Sequence, residues 1–77
     1  MNMEAFIEKI YSVIDEIEPG TLTPESKYRE VPDWSSMHAL ILIAMVKVDY
    51  GVTITGEDLM SHHTLQDIYN LIIKRKN

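Results

Sequence analysis

Apolar side chains along residues 3–17 fall at helical spacing. Met3, Phe6, Ile7, Ile10, Val13, Ile14 and Ile17 repeat at i, i+3, i+4 and i+7, while Glu4, Glu8, Lys9, Asp15 and Glu16 lie off that stripe. A surface helix over 3–17 is expected, with Asn2 as its cap, Glu4 at the positive end of its dipole and Pro19-Gly20 as its stop. From 36 to 49 the pattern changes. Ten of the twelve residues from Met37 to Val48 are apolar, the exceptions being His38 and Lys47. This second helix has Ser35 as a plausible N-cap and Gly51 as a C-terminal residue suited to positive φ. A short helix over 56–60 follows, capped by Thr55. A last helix over about 65–74 opens on a Thr64-x-x-Asp67 capping box and buries Leu65, Ile68, Tyr69, Leu71 and Ile72.

Between the first two helices lies a connection over 19–34 that Pro24, Pro32 and Asp33 should keep non-helical. Leu22, Tyr28, Val31 and Trp34 recur along it as anchors onto the core. Loops of this length in a small domain are uncommon and are either functional or pinned by side chains. Val52-Thr53-Ile54 is too short for a convincing strand. The expected fold class is therefore all-α, with four helices, a long first loop and a short third helix.

Length and composition narrow the possibilities. The 77 residues make one domain, 1–77, and 45% of them are apolar, enough for one core. There is no cysteine, which excludes disulfides, thiol nucleophiles and thiolate zinc sites. No apolar run reaches the roughly 18 residues of a membrane span. The N-terminus shows no basic region followed by an apolar stretch, so a cytoplasmic protein is expected. The net charge is −5, and residues 1–73 carry twelve acidic against four basic side chains, or −8, before the basic close Lys74-Arg75-Lys76. An acidic body repels phosphate backbones, so nucleic acid is not an expected partner. Docking onto basic patches of other proteins and plain solubility both account for the acid excess.

Trp34-Ser35-Ser36-Met37 opens the most apolar helix, and Asp49-Tyr50-Gly51-Val52-Thr53-Ile54 closes it. With Thr64-Leu65-Gln66-Asp67-Ile68 downstream, this arrangement resembles the acyl carrier protein family along nearly the whole chain. Ser36 falls on the family's modified serine, Met37 on its following Leu, and Tyr50 on its aromatic position, without gaps. The resemblance implies a four-helix carrier bundle that is not an enzyme. A phosphopantetheinyl transferase would attach 4′-phosphopantetheine to Ser36, flanked by Ser35 and Met37. The arm's thiol would then carry acyl groups as thioesters. Acyl-transferring and condensing enzymes are the further partners it implies, and a monomer is the family expectation. A serine at a helix N-terminus suits this role, because unpaired backbone N–H groups and the dipole favour a phosphodiester there. The family's Asp before the serine is Ser35 here. Ser35 still caps, but a negative charge at the docking site is lost.

The second helix offers a docking face. Helical spacing gathers Leu42, Ile43, Val46 and Tyr50 on one side, read as the core, and Met37, Ile41, Ala44, Met45 and Val48 on the other. Family members often carry acids on that second face. Two explanations stand: the long loop and third helix cover part of it, or partners meet it by apolar contact through Met37, Ile41, Met45 and Val48. His38 lies beside the site, either assisting docking or facing solvent. Trp34 reads as a loop anchor. His62-His63 has no third ligand at metal spacing and reads as exposed loop; no metal is expected. A cavity between the second and third helices, lined by some of Leu40, Ile54, Leu59 and Ile68, would shelter the acyl chain. The reading is a free-standing acyl carrier for fatty acid or specialised polyketide or lipid biosynthesis. The alternatives are an unmodified carrier-like interaction module and an aminoacyl or peptidyl carrier.

Overall fold

In the computed structural model, which describes residues 2–76, four α-helices follow one another: α1 (Met3–Val13), α2 (Ser36–Tyr50), α3 (Gly56–Ser61) and α4 (Leu65–Lys76). Among the described residues the only extended pairing is an isolated antiparallel bridge between Lys27 and Thr64. The all-α expectation holds, with the long first connection and short α3 in place.

α1 stops earlier than expected. The Asn2 side chain accepts the Ala5 N–H at 2.7 Å and starts the helix as read from sequence. Ile14 then leaves helical geometry (φ −119°, ψ 91°), although its N–H still reaches Ile10 O. A looser turn follows, in which the Ile17 N–H donates to Ile14 O at 3.2 Å. Ile14 and Ile17 are both buried, so the apolar spacing followed the core past the end of the helical backbone. Tyr11 explains the tight return: its hydroxyl accepts the Gly20 N–H at 3.0 Å and the Leu22 N–H at 2.9 Å, seating Leu22 in the core.

The long connection is pinned, and it is not wholly non-helical. Tyr28–Glu30 forms a 3₁₀ turn. It buries Tyr28, whose hydroxyl donates to Leu59 O at 2.6 Å and His62 O at 2.9 Å, tying the loop to both ends of α3's last turn. Burial pushes the phenol up to about 12. The same loop caps α4: Ser26 O accepts the Leu65 N–H at 3.0 Å and Pro24 O the Gln66 N–H at 2.9 Å. The Thr64–Asp67 capping box forms as expected, with Thr64 Oγ1 accepting from the Asp67 N–H and Asp67 Oδ2 from the Thr64 N–H.

α2 runs from its cap at Ser35 to Gly51, which ends it at φ 69° in the left-handed region. Its inner face is His38, Leu42, Met45 and Val46, at i, i+4, i+7 and i+8. This corrects the expected division, which put Met45 outside and Ile43 and Tyr50 within; the latter two are half-buried at the core's margin. A helix that is apolar nearly all round carries no contrast from which to choose a face. Around α2 pack Phe6 and Ile10 of α1, Ile54 and Leu59, and Ile68 and Ile72 of α4. The Phe6 ring meets Tyr50 and Tyr69 at centroid distances of 6.1 and 5.7 Å.

The basic close of the chain is structural in part. Arg75 grips Asp58 with both terminal nitrogens, at 2.6 and 3.0 Å, and also donates to Thr53 O. Asp58 meanwhile caps α3 by accepting the Thr55 N–H at 2.9 Å. Lys76 Nζ donates to Tyr50 O at 3.0 Å. The short α3, too small to hold itself, is thus fastened to α4.

Candidate functional site

Ser36 occupies the first position of α2 and is exposed. Its hydroxyl has no hydrogen-bond partner among the described residues. The backbone N–H groups of this first turn have no acceptor within the helix, since the first helical bond runs from the Ala39 N–H to Ser35 O at 3.2 Å. The position therefore combines a free hydroxyl with the positive end of a helix of 15 residues. Among the described residues no side chain lies within hydrogen-bonding distance to activate that hydroxyl, so a reaction at Ser36 takes its base from elsewhere.

The helix start is held by His38, which sequence reading placed beside the site and took as docking or solvent-facing. It is neither: His38 is 7% exposed. Its Nδ1 accepts the Ser35 N–H at 3.1 Å, and Ser35 Oγ lies 3.0 Å from the same nitrogen. A backbone N–H can only donate, so Nδ1 is the bare nitrogen and Nε2 carries the proton. Nε2 donates to Glu16 Oε1 at 3.2 Å. The Glu16 carboxyl is held below the usual carboxylate range, first by its own backbone N–H and then by the His38 ring. The ring does what Glu or Gln does in the third position of an ordinary capping box. Trp34 stacks on it, with centroids 5.7 Å apart and planes at 25°, and meets Tyr28 edge-on at 5.8 Å. Trp34 is a loop anchor, as expected.

Beside Ser36 runs an open groove of about 610 Å³ between α2 and α3. Ser36, Ala39, Leu40 and Ile43 form the α2 wall, and Gly56, Leu59 and Met60 the α3 wall. Arg29, Trp34 and Ser35 complete it. Of the four residues expected to line such a cavity, Leu40 and Leu59 do so. Ile54 and Ile68 are buried in the core instead, because they belong to the layer beneath the groove. Arg29 and Met60 were not singled out from sequence; a lone arginine in a loop carries no periodic signal.

The five residues read as a docking face separate. Met37 and Val48 are exposed, at 62% and 82%. Ile41 is half-buried against the core, and Met45 and His38 are inside it. The exposed apolar set on α2 is Met37, Leu40 and Val48, with Met60 of α3 across the groove. Both explanations of the outer face thus hold in part, since α3 covers some of it and leaves the rest open. His62 is half-buried, and its Nδ1 lies 2.7 Å from Asp58 O at the end of α3. His63 is exposed and contacts Arg29. Among the described residues no helix is long and apolar enough to cross a membrane.

Comparison with known proteins agrees with this geometry. Residues 6–72 match the family described as phosphopantetheine attachment site. The chain is 25% identical over 75 residues to the acyl carrier protein of Thermosynechococcus vestitus, covering 94% of this chain and 93% of that one. It is 31% identical over 77 residues to the meromycolate extension acyl carrier protein of Mycobacterium leprae, covering 96% of this chain and 67% of that one. In fold it resembles the solution NMR structure of a holo acyl carrier protein from Geobacter metallireducens, with a TM-score of 0.76 at 22% identity over 95% of this chain and 83% of that one. The chain belongs to the acyl carrier protein family, whose members are carriers rather than enzymes and bear covalent 4′-phosphopantetheine.

Proposed function

We propose that Ser36 is the attachment point of 4′-phosphopantetheine and that this chain carries acyl intermediates for fatty acid or specialised polyketide or lipid biosynthesis. The observation that carries the assignment is the free, exposed Ser36 hydroxyl at the N-terminus of α2, at the edge of an apolar groove. The residues fit the group. A phosphodiester on Ser36 meets the unpaired N–H groups of the first turn and the helix dipole. When bound, the arm supplies a thiol that holds acyl groups as thioesters.

The chain's own residues position and present. Ser35 and His38 fix where α2 begins, and Trp34 braces the His38 ring. Leu40, Ile43, Leu59 and Met60 offer an apolar wall beside the attachment point. Met37, Leu40 and Val48 form the uncharged part of the surface that partner enzymes meet: the modifying transferase and the acyl-transferring and condensing enzymes. Recognition there rests on apolar contact more than on charge. The departure from an acidic α2 face favours a specialised pathway.

Tryptic mapping tests the site. After incubation with coenzyme A and a broad-specificity phosphopantetheinyl transferase, the peptide running from Glu30 to Lys47 should gain the arm, with fragmentation placing it on Ser36. An arm on Ser35, or on another peptide, contradicts the assignment.

A further inference from the structure

Among the described residues Arg29 is the one charged side chain lining the groove beside Ser36. Its guanidinium is held in place: Nη2 donates to His62 O at 3.1 Å and to His63 Nδ1 at 3.2 Å. Arginine never accepts, so His63 Nδ1 is the acceptor and its ring proton sits on Nε2. The N–H groups at Nε and Nη1 have no partner among the described residues, and Arg29 makes no ion pair there. Arg29 shares the groove lining with Trp34, Ser35 and Ser36. Its neighbour Tyr28 touches Trp34, and Trp34 leads directly into Ser35 and Ser36.

We infer that Arg29 is an anion-binding residue of the groove beside Ser36 and that its ligand is the phosphodiester of the arm. The inference rests on the proposal that Ser36 bears the arm. A phosphodiester tethered to Ser36 brings one negative charge to that groove and cannot leave it. The surrounding protein is acidic, so a fixed cation there offsets repulsion that the helix terminus alone faces unaided. The planar guanidinium matches phosphate oxygens, and its free donors at Nε and Nη1 remain for that use. Because Nη2 is already anchored on α3's terminal carbonyl, little side-chain freedom is lost on binding.

The test compares apo and holo protein, wild type beside Arg29→Gln and Arg29→Lys, each first shown by intact mass to carry one arm and by circular dichroism to be folded. The Arg29 Nε–H cross-peak should move on loading. The ³¹P resonance of the wild-type arm should differ from that of Arg29→Gln, with Arg29→Lys between them. A cross-peak indifferent to loading, together with the same ³¹P resonance in all three proteins, overturns the inference while leaving the attachment site standing. Succinyl- and butyryl-loaded proteins separate the rival anion. A cross-peak that moves only with the succinyl form assigns Arg29 to a cargo carboxylate and overturns the phosphodiester. Failure of the wild type to load at Ser36, with Ser35→Asp failing beside it, overturns both proposals.

Discussion

The His38 imidazole accepts the Ser35 N–H at 3.1 Å, so the residue two places beyond the modified-serine position sets where α2 starts. The ring is buried, with Nδ1 accepting and Nε2 directed to Glu16. His38→Ala removes a cap and leaves the Ser35 N–H without its partner, and should cost about 1–2 kcal/mol. His38→Gln, which can accept from the same N–H, should cost less. Urea unfolding checks both, and amide exchange should show Ser36 and Met37 less protected in the Ala variant. Equal stability of all three proteins would contradict a capping role.

Ser35→Asp returns the carboxylate that the family resemblance leads one to expect before Ser36. The new charge can cap α2 and also faces the positive end of its dipole. Loading by a broad-specificity phosphopantetheinyl transferase should be several-fold faster than in the parent, with folding intact by circular dichroism. An unchanged or slower rate would mean that the lost Asp is irrelevant to recognition.

The Asp58–Arg75 pair predicts an acid limb. The Arg75 guanidinium holds Asp58 at about 2, below its ordinary value of 3.8. A depressed folded value gives stability that is present above the ordinary value and lost as pH falls from about 4 towards 2. Because Arg75 is 39% exposed, solvent screening keeps this contribution at about 1 kcal/mol. Asp58→Asn should therefore unfold more easily at pH 7 and lose part of the parent's decline between pH 4 and 2. Two parallel stability curves across that window would contradict it.

Tyr28→Phe removes the hydroxyl that joins the 3₁₀ turn to Leu59 O and His62 O. Leu59 O loses its donor, while His62 O keeps the one from Arg29, at a cost of about 1–2 kcal/mol. The raised phenol also predicts an alkaline loss. Its contribution is whole below the ordinary value of 10 and disappears as pH rises through about 12. Thermal unfolding of the parent at high pH should show that loss, and the Phe variant should lack it.

Most of the fold was readable because the signals were local. Asn2, the Thr64–Asp67 box and Gly51 each act within a few residues, and all three work as their chemistry suggested. The end of α1 was not readable, since Ile14 and Ile17 keep helical spacing while serving the core from a turn. Nor was the inner face of α2, where ten apolar residues in twelve erase the periodic contrast and contacts with α1 and α4 decide. That is why Met45 and His38, assigned to docking, lie inside. Ser36 stood out by its motif. Arg29 did not, because what distinguishes it is a groove assembled from three distant parts of the chain.

The exposed apolar set gives a contrast between surface and core. Val48→Glu and Leu40→Glu should each change stability by no more than about 0.5 kcal/mol, whereas Met45→Glu should prevent folding. If partners meet α2 by apolar contact, Val48→Glu and Leu40→Glu should also slow loading by the transferase. Loading at the parental rate in both would contradict that mode of recognition.

The most direct test is intact mass after incubation with coenzyme A and a phosphopantetheinyl transferase, for the parent, Ser36→Ala and Ser35→Ala. The parent and Ser35→Ala should each gain one phosphopantetheine, and Ser36→Ala none. A gain in Ser36→Ala, or none in any of the three even when Ser35→Asp is supplied, would contradict Ser36 as the site on which this carrier holds its cargo.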